Sequence, residues 1–324
     1  MATPYISIII PMYNAESTIE KLLDSVIGQT LSNLELILID DCSSDNSIKV
    51  VKKKLENQHI NYLLIQNETN QGQSLSRRLG LTKASGDYVS FIDSDDWLDS
   101  TMYEEMYETA ANNKADIVTC DHYIEFNNQS TIANNKSNDL IEGILTNKVA
   151  GSLWNKIFKR DLFDSSIMWP KLNMGEDGAI CIQLILRTKT LKHINKPLYH
   201  YYINPISTIN KKGKEDYLRR SIGLKESSDI IFNILQRHKL TAQYTESILF
   251  RKVYINLLSS AVVDDKKIYN QVIGMYPDLS FASVYFSRLP KTIKLRYILF
   301  RIRLYPYIYN IIKLIRSLKN EDSI

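Results

Sequence analysis

Three carboxylates fall within four residues at Asp93-Ser94-Asp95-Asp96, directly after the apolar run Tyr88-Val89-Ser90-Phe91-Ile92. Acids gathered at the end of a buried strand are costly unless something cationic neutralises them. Hard oxygen ligands of this kind suit Mg2+ or Mn2+, usually shared with a substrate's phosphates. A solvated turn in which Ser94 or Asp96 caps the next helix would use the same residues, so Asp-x-Asp does not decide the matter alone. Two further acidic pairs, Asp40-Asp41 and Glu176-Asp177, stand next to apolar runs elsewhere in the chain.

The elements that must position these acids alternate. Tyr5 to Ile10 reads as a buried strand ended by Pro11, which cannot donate to a central ladder. Asn14 or Ser17 can cap a helix carrying Ile19, Leu22, Leu23, Val26 and Ile27 at helical spacing. Leu34 to Ile39 is a second buried strand, running into Asp40-Asp41-Cys42-Ser43-Ser44-Asp45. A helix through Ile48, Val51 and Leu55 follows, and Ile60 to Ile65 makes a third strand. Asn70-Gln71-Gly72 opens a helix bearing Arg77 and Arg78, and Ser85-Gly86 closes it before the acid-tipped fourth strand.

Such alternation predicts a mostly parallel α/β sheet flanked by helices, with ligands beyond the carboxyl ends of the strands. Pro11-Met12-Tyr13-Asn14, Asp40-Asp41 and Asp93-Ser94-Asp95-Asp96 would then meet at one rim. Further on, the reading gives a helix from Ser100 to Lys114, a strand Ile117 to Cys120, and a mobile Asn/Ser-rich loop from Asn127 to Asn138. A helix is expected from Ala179 to Leu186, an extended Tyr-rich stretch from Ile194 to Ile203, and helices from Lys214 to Met275.

Taken together, these residues resemble the family 2 glycosyltransferases, inverting enzymes with the GT-A nucleotide-sugar fold, of the bacterial surface-polysaccharide type. The resemblance rests on Ser7 to Asn14, Leu38 to Asp45, Asn70-Gln71-Gly72 with Ser76-Arg77, Ser85 to Tyr88, and Phe91 to Asp96. Trp154-Asn155-Lys156 and Gly175-Glu176-Asp177 extend it, so that it spans roughly the first two thirds of the chain. Cys42 stands where the family usually has Gly, and Arg78 where Asn is usual.

The resemblance implies roles. Asp41 would accept from a uracil ring N–H, with Pro11 and Tyr13 forming the wall of that pocket, and Asp40 would orient the turn. Arg77 would pair with the nucleotide or its diphosphate through its planar fork. Asp93 would touch the ribose or the metal, Ser94 would lie on the donor side, and Asp95 would hold Mn2+ or Mg2+ on the diphosphate. Asp177 would be the base that deprotonates the acceptor hydroxyl, with Glu176 as the fallback; either also serves as an ordinary helix cap. By the same resemblance His200 could approach the metal, Trp97 and Trp154 could stack on acceptor sugars, and Lys156 could face the acceptor or the diphosphate. Their bland readings are a hydrogen-bonded histidine, packing tryptophans and a surface lysine.

Composition sets the surroundings. Apolar content of 44% with 23% charged residues describes a folded soluble protein. Three widely spaced cysteines suggest neither a disulfide framework nor a zinc site and fit a reducing cytosol. No signal peptide or membrane span is read. The net charge of +4 divides unevenly: from Lys211 onward there are 21 Lys/Arg against 10 Asp/Glu, leaving 19 against 26 before it.

A catalytic region over 1–210 and a helical region over 211–324 are therefore expected. Between Asp278 and Glu321 there is no acidic residue, while Arg288, Lys291, Lys294, Arg296, Arg301, Arg303, Lys313, Arg316 and Lys319 interleave with apolar residues. About 285–319 this reads as amphipathic helices on an anionic membrane, broken by Pro290 and Pro306. Helices packed on the body are the alternative, and no nucleic-acid motif accompanies the charge.

The combined expectation is a cytoplasmic enzyme, peripheral on the inner face of the membrane. It would take a nucleotide sugar, with UDP-sugar favoured, and extend a glycan or lipid-linked acceptor. A nucleotidyltransferase is disfavoured because Pro11-Met12-Tyr13-Asn14 is not a Gly-rich basic phosphate loop. A non-catalytic scaffold is disfavoured because Asp41, Asp95 and Asp177 are all intact.

Overall fold

The computed structural model describes residues 5–127, 129–134, 137–172, 174–204, 213–258 and 265–304. The chain separates into two compact units, Met1–Thr208 and Ile209–Ile324.

The first unit runs β1 (Ile6–Met12), α1 (Ile19–Ile27), β2 (Leu34–Asp40), α2 (Ser47–Leu55), β3 (Asn61–Gln66), α3 (Gln73–Leu81) and β4 (Tyr88–Phe91). It continues with β5 (Trp97–Leu98), α4 (Met102–Asn113), β6 (Ile117–Phe126), β7 (Gln129–Ala133) and α5 (Leu140–Leu145). Then come β8 (Lys156–Lys159), a 3-10 turn (Arg160–Leu162), α6 (Glu176–Ile185) and β9 (Leu191–Tyr202). One sheet has the order β3-β2-β1-β4-β8-β6-β9-β5, with β7 paired to β6.

The first four strands are parallel, with β1 central between β2 and β4. Beyond β4 the sheet is mixed: β8 enters antiparallel to both β4 and β6, β6 and β9 are parallel, and β5 is antiparallel to β9. The alternation that predicts parallel pairing ends at the acid cluster, and mixed pairing begins there.

Side chains alternate across the strands. Ile6, Ile8 and Ile10 of β1 and Leu34, Leu36 and Leu38 of β2 share one core with α1, α2 and α4. Ile9 and Ile39 face the other way, onto α3. There Gly80 packs so closely that a Cβ would stand 2.5 Å from Ile9 Cγ2 and 2.7 Å from Ile39 Cδ1. This close approach seats α3 against the sheet. Arg77, three residues earlier on the same helical face, is thereby carried toward the carboxyl edge.

Three details depart from the sequence reading. The Asn/Ser-rich stretch after Phe126 is not simply a loop: Gln129–Ala133 forms an edge strand on β6, polar because it is exposed. Positions 128, 135 and 136 within that stretch lie outside the described residues. The helix expected from Ala179 begins earlier, at Glu176, so Glu176 and Asp177 form its first turn behind Gly175 (φ 72°). Neither Asn14 nor Ser17 caps α1, whose N-cap position is Thr18.

The second unit is helical among its described residues: α7 (Lys214–Arg237), α8 (Thr245–Leu258), α9 (Lys266–Gly274), α10 (Phe281–Tyr285) and α11 (Lys291–Arg301). Ile231, Leu235, Val253, Ile255, Val272, Tyr297 and Phe300 are buried in it. Pro290 stands at the N-cap position of α11 and separates it from α10. The expected second break at Pro306 and the tail from 305 to 319 lie outside the described residues, as does the expected boundary at 210. Among the described residues no helix is long and apolar enough to cross a membrane.

Candidate active site

The carboxyl ends of β1 and β2 are laced together by their own loops. The Asp41 amide donates to Met12 O (2.8 Å), the Asn14 amide to Ser43 Oγ (2.9 Å), and the Ala15 amide to Ser47 Oγ (2.8 Å). Pro11 is buried within β1, and Tyr13 just beyond it is 53% exposed.

Asp41 is buried and held by three donors: Asn67 Nδ2 (2.8 Å) and the Gln71 amide (2.9 Å) on Oδ1, and the Gly72 amide (2.7 Å) on Oδ2. Gly72 supplies the last of these from a backbone at φ 88°, a conformation that costs glycine little. A carboxylate has about four acceptor directions, so the fixed Asp41 retains capacity for a ligand donor. Asp40 behaves as the turn's organiser, accepting from the Ser43 amide at 3.2 Å. Cys42 sits at φ 66°, the left-handed region that favours glycine, which explains a family preference for Gly at this point.

Arg77 stands at the centre of the acids. Its guanidinium is 1% exposed and lies among acids. Nη2 meets Asp93 Oδ1 at 2.6 Å, and Nη1 meets Asp177 Oδ1 at 2.5 Å and Glu176 Oε1 at 3.6 Å. The resemblance gives Arg77 to the nucleotide or its diphosphate; in this structure both terminal nitrogens meet carboxylates of the protein. It draws together Asp93, from the end of β4, and Asp177, from the start of α6.

The acids repel one another inside this site. Burial, with Asp177 and Asp95 nearby, pushes Asp93 up to about 6 despite Arg77. Burial also raises Asp95, and burial with Asp93 and Asp95 as neighbours raises Asp96 well above the usual carboxylate range. Asp96 is committed to structure, accepting from Tyr199 Oη (2.5 Å) and the Tyr202 amide (2.8 Å). Asp95 meets Asn204 Nδ2 at a long 3.4 Å, and Ser94 is half-buried between Asp93 and Asp95.

Asp93 and Asp95 therefore fit a hard divalent cation, which would relieve the repulsion that burial enforces. Among the described residues no group of three or more His, Cys, Asp or Glu encloses a metal site. Mg2+ in particular is commonly held by one or two carboxylates, with phosphates and water completing its shell.

At α6, Asp177 Oδ2 accepts from the Leu153 amide (3.1 Å). Burial, then the Asp177 charge, pushes Glu176 up to about 8. One acid of the pair thus leans toward its neutral form at pH 7, while its neighbour sits in an ion pair.

The remaining candidates resolve as scaffold. Trp154 stacks on Tyr199 (4.4 Å) and Tyr201 (5.5 Å), which steadies the hydroxyl that donates to Asp96. His200 pairs with Glu125 (2.7 Å) and lies between the rings of Trp97 and Tyr123. Lys156 is neither a surface lysine nor a free ligand: it is buried, donating to Ser152 O and Asn155 Oδ1, both at 2.7 Å.

Asn67, Gln73 and Tyr199 were not singled out by the sequence. Gln73 donates to Asp93 Oδ1 at 2.6 Å. Its place directly after Asn70-Gln71-Gly72 was the available signal.

Comparison with known proteins bears on this arrangement. Residues 7–172 match the family model described as glycosyl transferase family 2. The chain is 28% identical to the putative glycosyltransferase EpsH of Bacillus subtilis, over 70% of this chain and 69% of that protein. S. aureus TarS residues 1–349, solved in complex with UDP-GlcNAc, superpose with a TM-score of 0.59 at 19% identity, covering 93% of this chain and 88% of that one. A mannosyltransferase from Pyrobaculum calidifontis, solved with GDP-Man and Mn2+, superposes with a TM-score of 0.53 at 15% identity, covering 94% and 88%. These two likenesses establish the shared fold.

Proposed function

The chain belongs to glycosyl transferase family 2, and from that premise we propose a metal-dependent, inverting transfer of a sugar from a UDP-sugar to an acceptor hydroxyl. The acceptor is a surface glycan or a lipid-linked precursor of one. The observation that carries this reading is the role of α3 as a tie. Gly72 at its start holds Asp41, and Arg77 one turn on holds both Asp93 and Asp177.

In this reading Asp41 accepts from the uracil N–H, and Pro11 and Tyr13 wall the base. Asp93 and Asp95, with Ser94 between them, hold Mn2+ or Mg2+. That cation supplies charge neutralisation for the departing diphosphate. Asp177 accepts the proton of the acceptor hydroxyl as its oxygen bonds to the anomeric carbon. The bond from that carbon to the diphosphate oxygen breaks, and its electron pair leaves with UDP. Attack from the face opposite the leaving group inverts the anomeric centre.

The cytoplasmic face of an anionic membrane is the proposed place of action, reached through the acid-free basic stretch after Asp278. The test is thermal shift and UDP release with a panel of UDP-sugars, Mn2+ and a soluble acceptor analogue. Stabilisation by at least one UDP-sugar and an inverted linkage are expected. A retained anomeric configuration would exclude the single-base mechanism, and indifference to every UDP-sugar would exclude the donor class.

A further inference from the structure

The second unit carries an exposed aromatic patch that the transfer reaction does not use. Phe281, Tyr285 and Phe286 are 47%, 55% and 82% exposed. The rings touch one another: Phe281 stacks on Tyr285 at 6.3 Å, and Tyr285 meets Phe286 edge-on at 5.1 Å. Single exposed apolar side chains are ordinary, but three in mutual contact form a patch.

The patch is held in place. Val284 of α10 is buried, so the short helix is anchored through that side chain. Lys294 of α11 donates to Tyr285 O (2.9 Å) and Ser287 O (2.5 Å), which fixes the turn containing Phe286. The Arg288 amide donates to Glu246 Oε2 (3.0 Å) immediately afterwards. An exposed phenylalanine on a turn tied this way keeps its orientation in water, and little ordering remains to be done on binding.

The charge that follows it in the chain is basic. Arg288 and Lys291 are exposed directly after the aromatic turn, and no acid occurs in the sequence from 279 to 320. Glu246, the acid that meets this turn, is engaged by the Arg288 amide. The nearest acid before that stretch, Asp278, is paired with Lys252. A water-exposed aromatic cluster followed by exposed cations, with Glu246 engaged by backbone, complements a surface that is apolar below and anionic above. That describes the interface of an anionic bilayer, where aromatic side chains sit at headgroup level and Lys/Arg meet lipid phosphates.

We infer that the Phe281–Tyr285–Phe286 patch inserts into the headgroup region of an anionic membrane, with Arg288 and Lys291 engaging lipid phosphates beside it. This rests on the peripheral-membrane part of the reading above and specifies how it is met. Basic charge alone would give a salt-labile attraction to any anionic surface. The rings add an apolar component that salt does not screen.

The experiment is co-sedimentation of the full-length chain with vesicles of phosphatidylglycerol and phosphatidylcholine, at low and high salt, beside pure phosphatidylcholine vesicles. The variant is Tyr285→Ser with Phe286→Ser, two exposed side chains whose loss leaves Val284 and the Lys294 contacts to backbone oxygens in place. Unchanged far-UV dichroism and UDP binding confirm its fold.

Wild type should bind the anionic vesicles and retain part of that binding at high salt. The double variant should bind about tenfold or more weakly and lose the salt-resistant part. If wild type binds in a salt-sensitive way and the variant binds equally well, the insertion fails while the membrane reading stands. If wild type ignores anionic vesicles altogether, both fail, and the patch covers another segment or partner. Equal binding to phosphatidylcholine alone overturns the role given to the cations.

Discussion

Arg77 Nη1 and Asp177 Oδ1 stand 2.5 Å apart across 100 positions of sequence, joining the second turn of α3 to the first turn of α6. The other terminal nitrogen of the same guanidinium reaches Asp93 at the end of β4. One buried cation therefore offsets the charge of the acid proposed as base and of one proposed to bind metal. Removing it leaves buried acids uncompensated, whereas each acid removed alone leaves Arg77 with another partner.

Arg77→Ala should accordingly destabilise the protein by ~3–5 kcal/mol, the usual loss on breaking a buried pair from one side. Chemical unfolding of the full chain measures it. A loss below about 1 kcal/mol would mean that the cluster relaxes without its cation.

The adjacent acids of α6 should separate in kinetics. Asp177→Asn keeps the shape of the side chain but cannot take a proton near neutral pH. Sugar transfer should fall by on the order of 10²–10⁴-fold while the UDP-sugar still binds. Glu176→Gln should leave most of the activity, because Glu176 is pushed toward its neutral form already. Should the deep loss follow Glu176→Gln instead, the base moves by one residue.

Much of this site was legible because its polar residues sit where apolar runs stop. Asp41, Asp93 and Asp95 stand at or just past the ends of β2 and β4, and reading the strands sufficed to group them. Arg77 was visible as a residue but not as a contact. Its partners come from 16 and 100 residues away, and no local pattern encodes which acids a helix will face. The antiparallel entry of β8 was hidden for the same reason, since Lys156–Lys159 is a four-residue strand without its own periodicity. The edge strand Gln129–Ala133 escaped because an exposed strand lacks the apolar alternation by which strands are read.

Stability should depend on pH through Glu176. Its folded-state pKa, about 8, lies above the ordinary carboxyl value of 4.5, so the folded chain holds a proton there that the unfolded chain has released. Stability contributed by that proton is complete below about 4.5 and is lost as pH climbs through 8. Glu176→Gln keeps a neutral side chain at every pH. Its unfolding midpoint should gain on wild type between pH 5 and pH 9. A constant offset between the two would show that Glu176 does not titrate in this window.

Cys42 offers a test of backbone strain. At φ 66° a side chain is disfavoured, and the thiol makes only a weak contact with Glu68 O at 3.6 Å. Left-handed backbone costs a non-glycine residue roughly 1–2 kcal/mol, against which glycine loses more freedom on folding. Cys42→Gly should therefore be neutral to stabilising by up to about 1 kcal/mol, with UDP binding unchanged. Clear destabilisation would mean that the Cys42 side chain supports the Asp41 turn.

The metal is tested most directly at Asp95. Burial raises its pKa, so its charged form is held at a cost, and it repels Asp93 and Asp96. From another residue's side chain it accepts a long 3.4 Å contact, from Asn204. A carboxylate with so little structural employment can be removed without harming the fold, and its removal relieves its neighbours. Asp95→Ala should therefore melt at or above the wild-type temperature in the absence of metal. If Asp95 binds the cation, the same variant should lose the Mn2+-dependent part of UDP binding, measured by calorimetry with and without EDTA, and transfer should fall with it. Asp96→Ala makes the contrast: Asp96 accepts from Tyr199 and the Tyr202 amide, so its loss should lower the melting temperature as well. Full transfer by wild type in EDTA, or unchanged Mn2+-dependent binding in Asp95→Ala, would take the cation out of the mechanism.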